Sequence, residues 1–129
     1  MRIFLDAMGG DNAPQAPVEG AIEALRRFPG LEITLAGVTE QLTPLLKDCD
    51  DIRSRITLLD APEVITNDDT PTLAIRQKKD SSLVVALKLL KEDEEVQGFV
   101  SAGSTGAVLT GALLRVGRIR GISRPAVCP

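Results

Sequence analysis

The sequence predicts an α/β protein, a three-layer parallel sheet of the Rossmann-like kind, on two observations. Four short apolar runs rich in β-formers recur along the 129 residues, and helical apolar patterns lie between them. The runs are continuous rather than alternating, as expected of strands covered on both faces. Aromatic residues make up only 2% of the chain against 43% apolar residues, so the core has to be close-packed Val, Ile, Leu and Ala.

The first run, Arg2 to Asp6, opens the sheet. Pro14 and Pro17 follow, where a first helical turn tolerates proline, and Val18, Ala21, Ile22 and Leu25 then recur at helical spacing. That helix is expected to end near Pro29-Gly30. Leu31 to Ala36 is the second strand, and a weaker helix after Thr39 places Leu42, Leu45 and Leu46 on one side, with Pro44 inside it. Arg55 to Leu59 is the third strand. The stretch from Ala61 to Thr70, with Asn67-Asp68-Asp69, reads as an ordered loop before a helix that starts at Thr70-Pro71. Ser81 or Ser82 caps the next helix, whose apolar side is Leu83, Val84, Leu87 and Leu90. Glu92 to Glu95 is a solvated turn and Val96 to Ser101 the fourth strand. The last helix, Ser104 to Val116, is small and aliphatic almost all round and is expected to lie inside the protein. Arg124 to Pro129 reads as the start of another strand, so the domain is expected to be truncated.

Open parallel sheets bind ligands beyond the carboxyl ends of their strands. Those ends are Asp6, Gly37, Asp60 and Ser101, and two of them lead into glycine-rich turns. The first turn runs Asp6-Ala7-Met8-Gly9-Gly10-Asp11-Asn12. The second runs Ser101-Ala102-Gly103-Ser104-Thr105-Gly106-Ala107. Such turns present free backbone N–H groups at a helix start, where an anion is the favoured occupant. Gly103, Ser104, Thr105 and Gly106 are the candidate phosphate-binding residues. Asp6, Gly9, Gly10, Asp11, Asn12 and Ser101 are the candidate cleft-lining residues. The bland alternative stays open for both turns, since glycine after a strand can simply turn the chain and Ser or Thr can simply cap a helix. Neither turn matches a P-loop or a dinucleotide fingerprint.

Composition excludes several chemistries. The chain contains no histidine, so neither a Ser-His-Asp nor a Cys-His site can form within it. Cys49 and Cys128 are too few for a disulfide framework or a zinc site, and no metal site is expected. A net charge of -3 with no Trp or Tyr argues against nucleic acid as a partner. Arg115, Arg118, Arg120 and Arg124 form a run without an acidic residue among them, a candidate contact for an acidic protein or anionic lipid headgroups.

Taken together these segments resemble the phosphate acyltransferase family of bacterial phospholipid synthesis. The resemblance is collinear over the whole chain. It rests on Asp-Ala-Met-Gly-Gly-Asp at 6 to 11 with Ala13-Pro14, Ile33-Thr34-Leu35, Glu63-Val64-Ile65, Lys78-Lys79, Ser81-Ser82, residues 101 to 107, Gly117-Arg118, Gly121-Ile122 and Arg124-Pro125-Ala126. Asn12 stands where family members commonly carry His, and Ser104 where they commonly carry Asn. The resemblance implies an enzyme that transfers a fatty acyl group from acyl carrier protein to inorganic phosphate, the acyl phosphate then serving a glycerol-phosphate acyltransferase. It implies no cofactor. It further implies a fold like that of isocitrate and isopropylmalate dehydrogenases, a cytoplasmic homodimer with peripheral membrane association, and a chain in which residues 1–129 are the N-terminal portion of one domain. The catalytic side chains are then unknown and expected beyond Pro129. A non-catalytic α/β module that binds a phosphorylated metabolite is the competing reading.

Overall fold

A computed structural model describes residues 1–126 of the chain. Four strands, β1 (Arg2–Asp6), β2 (Glu32–Gly37), β3 (Ile56–Asp60) and β4 (Val96–Val100), form one sheet in the order β3-β2-β1-β4. Every pairing is parallel, with Leu5 opposite Leu35 on one side and Val100 on the other. All four predicted strands are present, three of them ending within one residue of the expected position and the first matching at both ends. The register of β1 against β4 slips at Gln97, whose side-chain oxygen takes the bond of Arg2 N at 2.8 Å.

Helix α1 (Gln15–Arg27) covers one face of the sheet. Val18, Ala21 and Leu25 are buried against Leu5, Ile33 and Leu35. Pro17 sits in its first turn, where a missing N–H breaks no intrahelical bond. The predicted second helix is split: α2 (Thr39–Leu42) gives way to a 3₁₀ turn over Thr43–Leu46. Pro44 has no N–H to continue the α-helical ladder, and the tighter turn still buries Leu42 and Leu46 while Leu45 is only half-buried. Cys49 is a free thiol buried at 4% exposure in the same cluster, in the loop expected from the sequence.

On the opposite face lies α4 (Ser82–Glu92), with Ala86 against Phe4, Ala36 and Val96. Ser81 is the cap, its Oγ accepting from Val84 N at 3.4 Å. Helix α3 (Pro71–Gln77) and helix α5 (Thr105–Gly111) pack on that side through Ile75, Leu83 and Leu87. Thr70 precedes Pro71 as expected but makes no side-chain cap bond. Helix α5 runs on as a π-helical turn, Ala112–Val116. The three layers are therefore helix, parallel sheet, helix.

The last helix departs from expectation. Ala107 and Gly111 are buried, but Leu113 and Leu114 are exposed. Its uniformly apolar pattern concealed two faces, and only the one against α3 and α4 is covered by the described residues. Residues 124–126 form no strand, and the expectations for Cys128 and for a strand running on to Pro129 lie outside the described residues.

Candidate functional site

The strand order places the site. Strand β1 is followed by α1 on one face and β2 on one flank, whereas β4 joins its other flank after a helix on the opposite face, so the chain divides at the carboxyl ends of β1 and β4. Both glycine turns leave the sheet there, at the position where open α/β sheets bind ligands.

Asp6 holds the two turns together. Its carboxylate is 3% exposed and fully engaged: Oδ1 accepts from Met8 N at 3.1 Å and Ser82 Oγ at 2.6 Å, and Oδ2 accepts from Ser101 Oγ at 2.8 Å. Ser101 Oγ in turn accepts from Gly103 N at 3.1 Å. A buried carboxylate with donors on both oxygens fixes the groups around it, because leaving any of its lone pairs unmet is costly. Gly9 lies wedged between the turns. A Cβ there would sit 2.6 Å from Asp6 Oδ2, 2.8 Å from Ser101 Oγ and 2.9 Å from Gly103 N. Gly10 adopts φ +101°, in the region that favours glycine. Asp6 is thus a buried anchor below the cleft rather than an exposed acid.

Above this anchor is a cleft of about 240 Å³ whose walls include Gly10, Asp11, Thr66, Asn67, Gly103 and Ser104. Its third wall, the loop after β3, is tied to the first glycine turn by Asn67 Nδ2, which donates to Asp11 Oδ1 at 3.3 Å. Ser104 Oγ caps α5 by accepting from Ala107 N at 3.4 Å, so its hydroxyl proton is the part left to meet a ligand. Thr105 and Gly106 sit on the exposed first turn of α5 and do not line this cleft. A Cβ on Gly106 would approach Pro71 Cγ to 3.1 Å. Asn12 and Ser101 lie instead on a second, apolar groove of about 600 Å³ that starts at the same turns and runs between α1 and the edge of β4, past Ala16, Gly20 and Val100.

The arginine run divides. Arg115 turns inward and donates from Nη2 to Ile75 O at 2.7 Å, while its Nε is buried without a partner among the described residues. Arg118 donates to Ser123 O at 2.6 Å. Arg118, Arg120 and Arg124 are exposed, with Ile119 80% exposed between the first two.

Several residues of the cleft had no role assigned from the sequence. Residues 64–67 form a wall, Lys78 ties that wall down, and Ser82 holds Asp6. The sequence signal was the motif residues at 63–65 and 78–82, whose spacing alone shows no chemistry. The Lys78 ammonium, hydrogen-bonded at 2.6 Å, holds the Asp69 carboxyl below the usual carboxylate range, with the backbone N–H of Thr66 adding to the effect. Among the described residues no three His, Cys, Asp or Glu side chains converge as metal ligands, and no helix is long and apolar enough to cross a membrane.

Comparison with known proteins gives a consistent result. A family model described as "Fatty acid synthesis protein" matches residues 1–129. A phosphate acyltransferase of Thermoanaerobacter pseudethanolicus is 51% identical over all of this chain and 37% of its own length. Phosphate acyltransferases of Shouchella clausii and Clostridium perfringens are 49% and 46% identical, again over all of this chain and 38% of their own lengths. The chain thus spans little more than a third of the curated relatives it matches.

Proposed function

Because the chain belongs to the fatty acid synthesis protein family, we propose that it is the N-terminal portion of an enzyme that transfers a fatty acyl group from acyl carrier protein to inorganic phosphate, in the cytoplasm and for phospholipid synthesis. The observation that carries the reading is the pair of glycine turns fastened at the β1–β4 division by the Asp6, Ser101 and Gly103 bonds. Phosphate near neutral pH is already a charged nucleophile. The enzyme's task is to hold it against the thioester carbonyl and to stabilise the oxyanion that develops, which fixed backbone N–H groups do well. In this reading Gly103 and Ser104 hold phosphate in the cleft with Gly10 and Asp11 as its wall, Thr105 and Gly106 reach it only from the exposed first turn of α5, and Gly9 and Asn12 line the adjoining groove. The apolar groove that starts at these turns offers an acyl chain a surface on the thioester side. No residue here is assigned the role of proton carrier. The catalytic side chains belong to the larger part of the family's length. The relatives' names draw the reading from a phosphate-binding module toward an enzyme.

The same reading extends to partners. Arg118, Arg120 and Arg124, exposed beside Ile119 and Ile122, suit an acidic carrier protein, with peripheral contact to an anionic membrane and a homodimer as further expectations. Reversing the charge of Arg118 and Arg120 should weaken carrier binding chiefly at low salt. Unchanged affinity there dismisses the docking role.

Phosphate titration followed by amide chemical shifts tests the site. Shifts should concentrate at residues 9–12 and 101–107 and vanish in Gly103→Val, where a branched side chain meets Ser101 Oγ and Gly9. Shifts confined to other surfaces sink the assignment.

A further inference from the structure

The turn at 78–82, between α3 and α4, lines no part of the cleft yet reaches all of its walls. Lys78 Nζ donates to Val64 O at 2.8 Å and to Asp69 Oδ2 at 2.6 Å. The same Asp69 oxygen accepts from Thr66 N at 2.8 Å and Thr66 Oγ1 at 3.2 Å, so one ion pair brackets the wall at 64–69 from both ends. Asp80 N donates to Glu63 Oε2 at 2.9 Å, and Glu63 N donates back to Asp80 O at 3.3 Å. Two residues further on, Ser82 Oγ binds Asp6 at 2.6 Å, and Asp6 binds Ser101, which binds Gly103. Asn67 closes the ring on Asp11.

We propose that Lys78 and Asp69 are positioning residues for the anion in this cleft: from the start of the 78–82 turn their ion pair sets the separation of the loop after β3 from the two glycine turns without touching the ligand, and the Asn67 bond to Asp11 holds the same separation from within the wall. The proposal rests on the phosphate reading of the cleft. Three loops converge on the site, and loops left to themselves fluctuate far more than the elements they join. The Lys78–Asp69 pair is only partly exposed, its side chains 32% and 25% accessible, and the ammonium also satisfies a backbone carbonyl. Losing either charge frees residues 64–69 to move away from Asp11 and widens the cleft. Positioning by this route acts on how phosphate is held, because the groove that the proposed reading gives to the acyl chain is lined by α1, the glycine turns and β4 and by no residue of the 64–69 loop.

The test uses a full-length protein of the family that carries this segment, with initial rates measured against inorganic phosphate and acyl carrier substrate separately. Lys78→Met and Asp69→Asn should each raise the KM for phosphate about tenfold, leave the KM for the acyl substrate unchanged, and be no worse combined than alone. Asn67→Ala, an exposed change with a single bond to lose, should raise the phosphate KM about threefold with no change in melting temperature. Lys78→Arg, which keeps the charge outside the cleft but alters its bond to Val64 O, should raise the phosphate KM about threefold and carries the test if the neutral variants fail to fold. Variants that melt earlier but keep the wild-type phosphate KM show a role in stability alone and overturn the proposal. A wild-type rate that does not saturate with phosphate overturns the reading of the cleft itself, and the proposal with it.

Discussion

A single missing carbon decides the geometry at Gly9. Alanine there must displace a buried carboxylate oxygen, a serine hydroxyl or the backbone of Gly103, none of which is the loose end of a flexible side chain. Gly9→Ala should therefore cost about 1–3 kcal/mol, the usual range for overpacking, in chemical denaturation. A variant as stable as the parent shows that the two turns do not pack as described. Asp69 gives a prediction in pH. Its folded value is depressed by Lys78, so the stability it supplies is present above the ordinary carboxyl range, near pH 4, and is lost as pH falls through the lower folded value. The stability gap between wild type and Asp69→Asn should be constant from neutral pH down to about pH 5 and close below about pH 4. A gap independent of pH dismisses the ion pair as its source.

At the scale of elements, α4 depends on its start. Ser81 is wholly buried, caps the helix at Val84 N and donates to Lys78 O at 2.8 Å. Ser81→Ala should cost about 1–2 kcal/mol, and Ser81→Asp, which keeps an acceptor but loses the donor, should not restore it fully; calorimetry on both variants separates the two bonds. Much of this scale was legible in the sequence. Four strands, the α1 stripe and the α4 cap follow from local patterns, since 3.6-residue spacing and capping chemistry are properties of neighbouring residues. The anchor role of Asp6 was not legible, because its partners lie 76 and 95 residues away. Nor was the inward turn of Arg115, whose partner carbonyl belongs to α3. The two glycine turns were found because they follow strands, whereas the third wall was missed because a loop of ordinary composition carries no sign of what it faces.

For the whole molecule, the sheet order leaves the outer side of β4 without a strand neighbour among the described residues, and Val100 there is 50% exposed. An unpaired edge beside an apolar groove is a template for association. The 129-residue chain alone should self-associate as its concentration rises, and a sedimentation profile that stays monomeric throughout argues that the edge is protected. The same chain should show only background acyl transfer, since a reactant left unheld turns a positioned step back into a collision. Turnover comparable to a full-length relative shows instead that these turns suffice. Cys49 offers a way to time such opening events. Its side chain is buried in the same cluster as those of α1, β2 and the 3₁₀ turn, so a thiol reagent can modify it only while that face of the sheet is undone. With Cys128 replaced by serine, the rate at which a disulfide reagent consumes this one thiol becomes a stopwatch for the helix α1 layer. Adding phosphate should slow the stopwatch only if occupancy at the glycine turns is felt across the sheet.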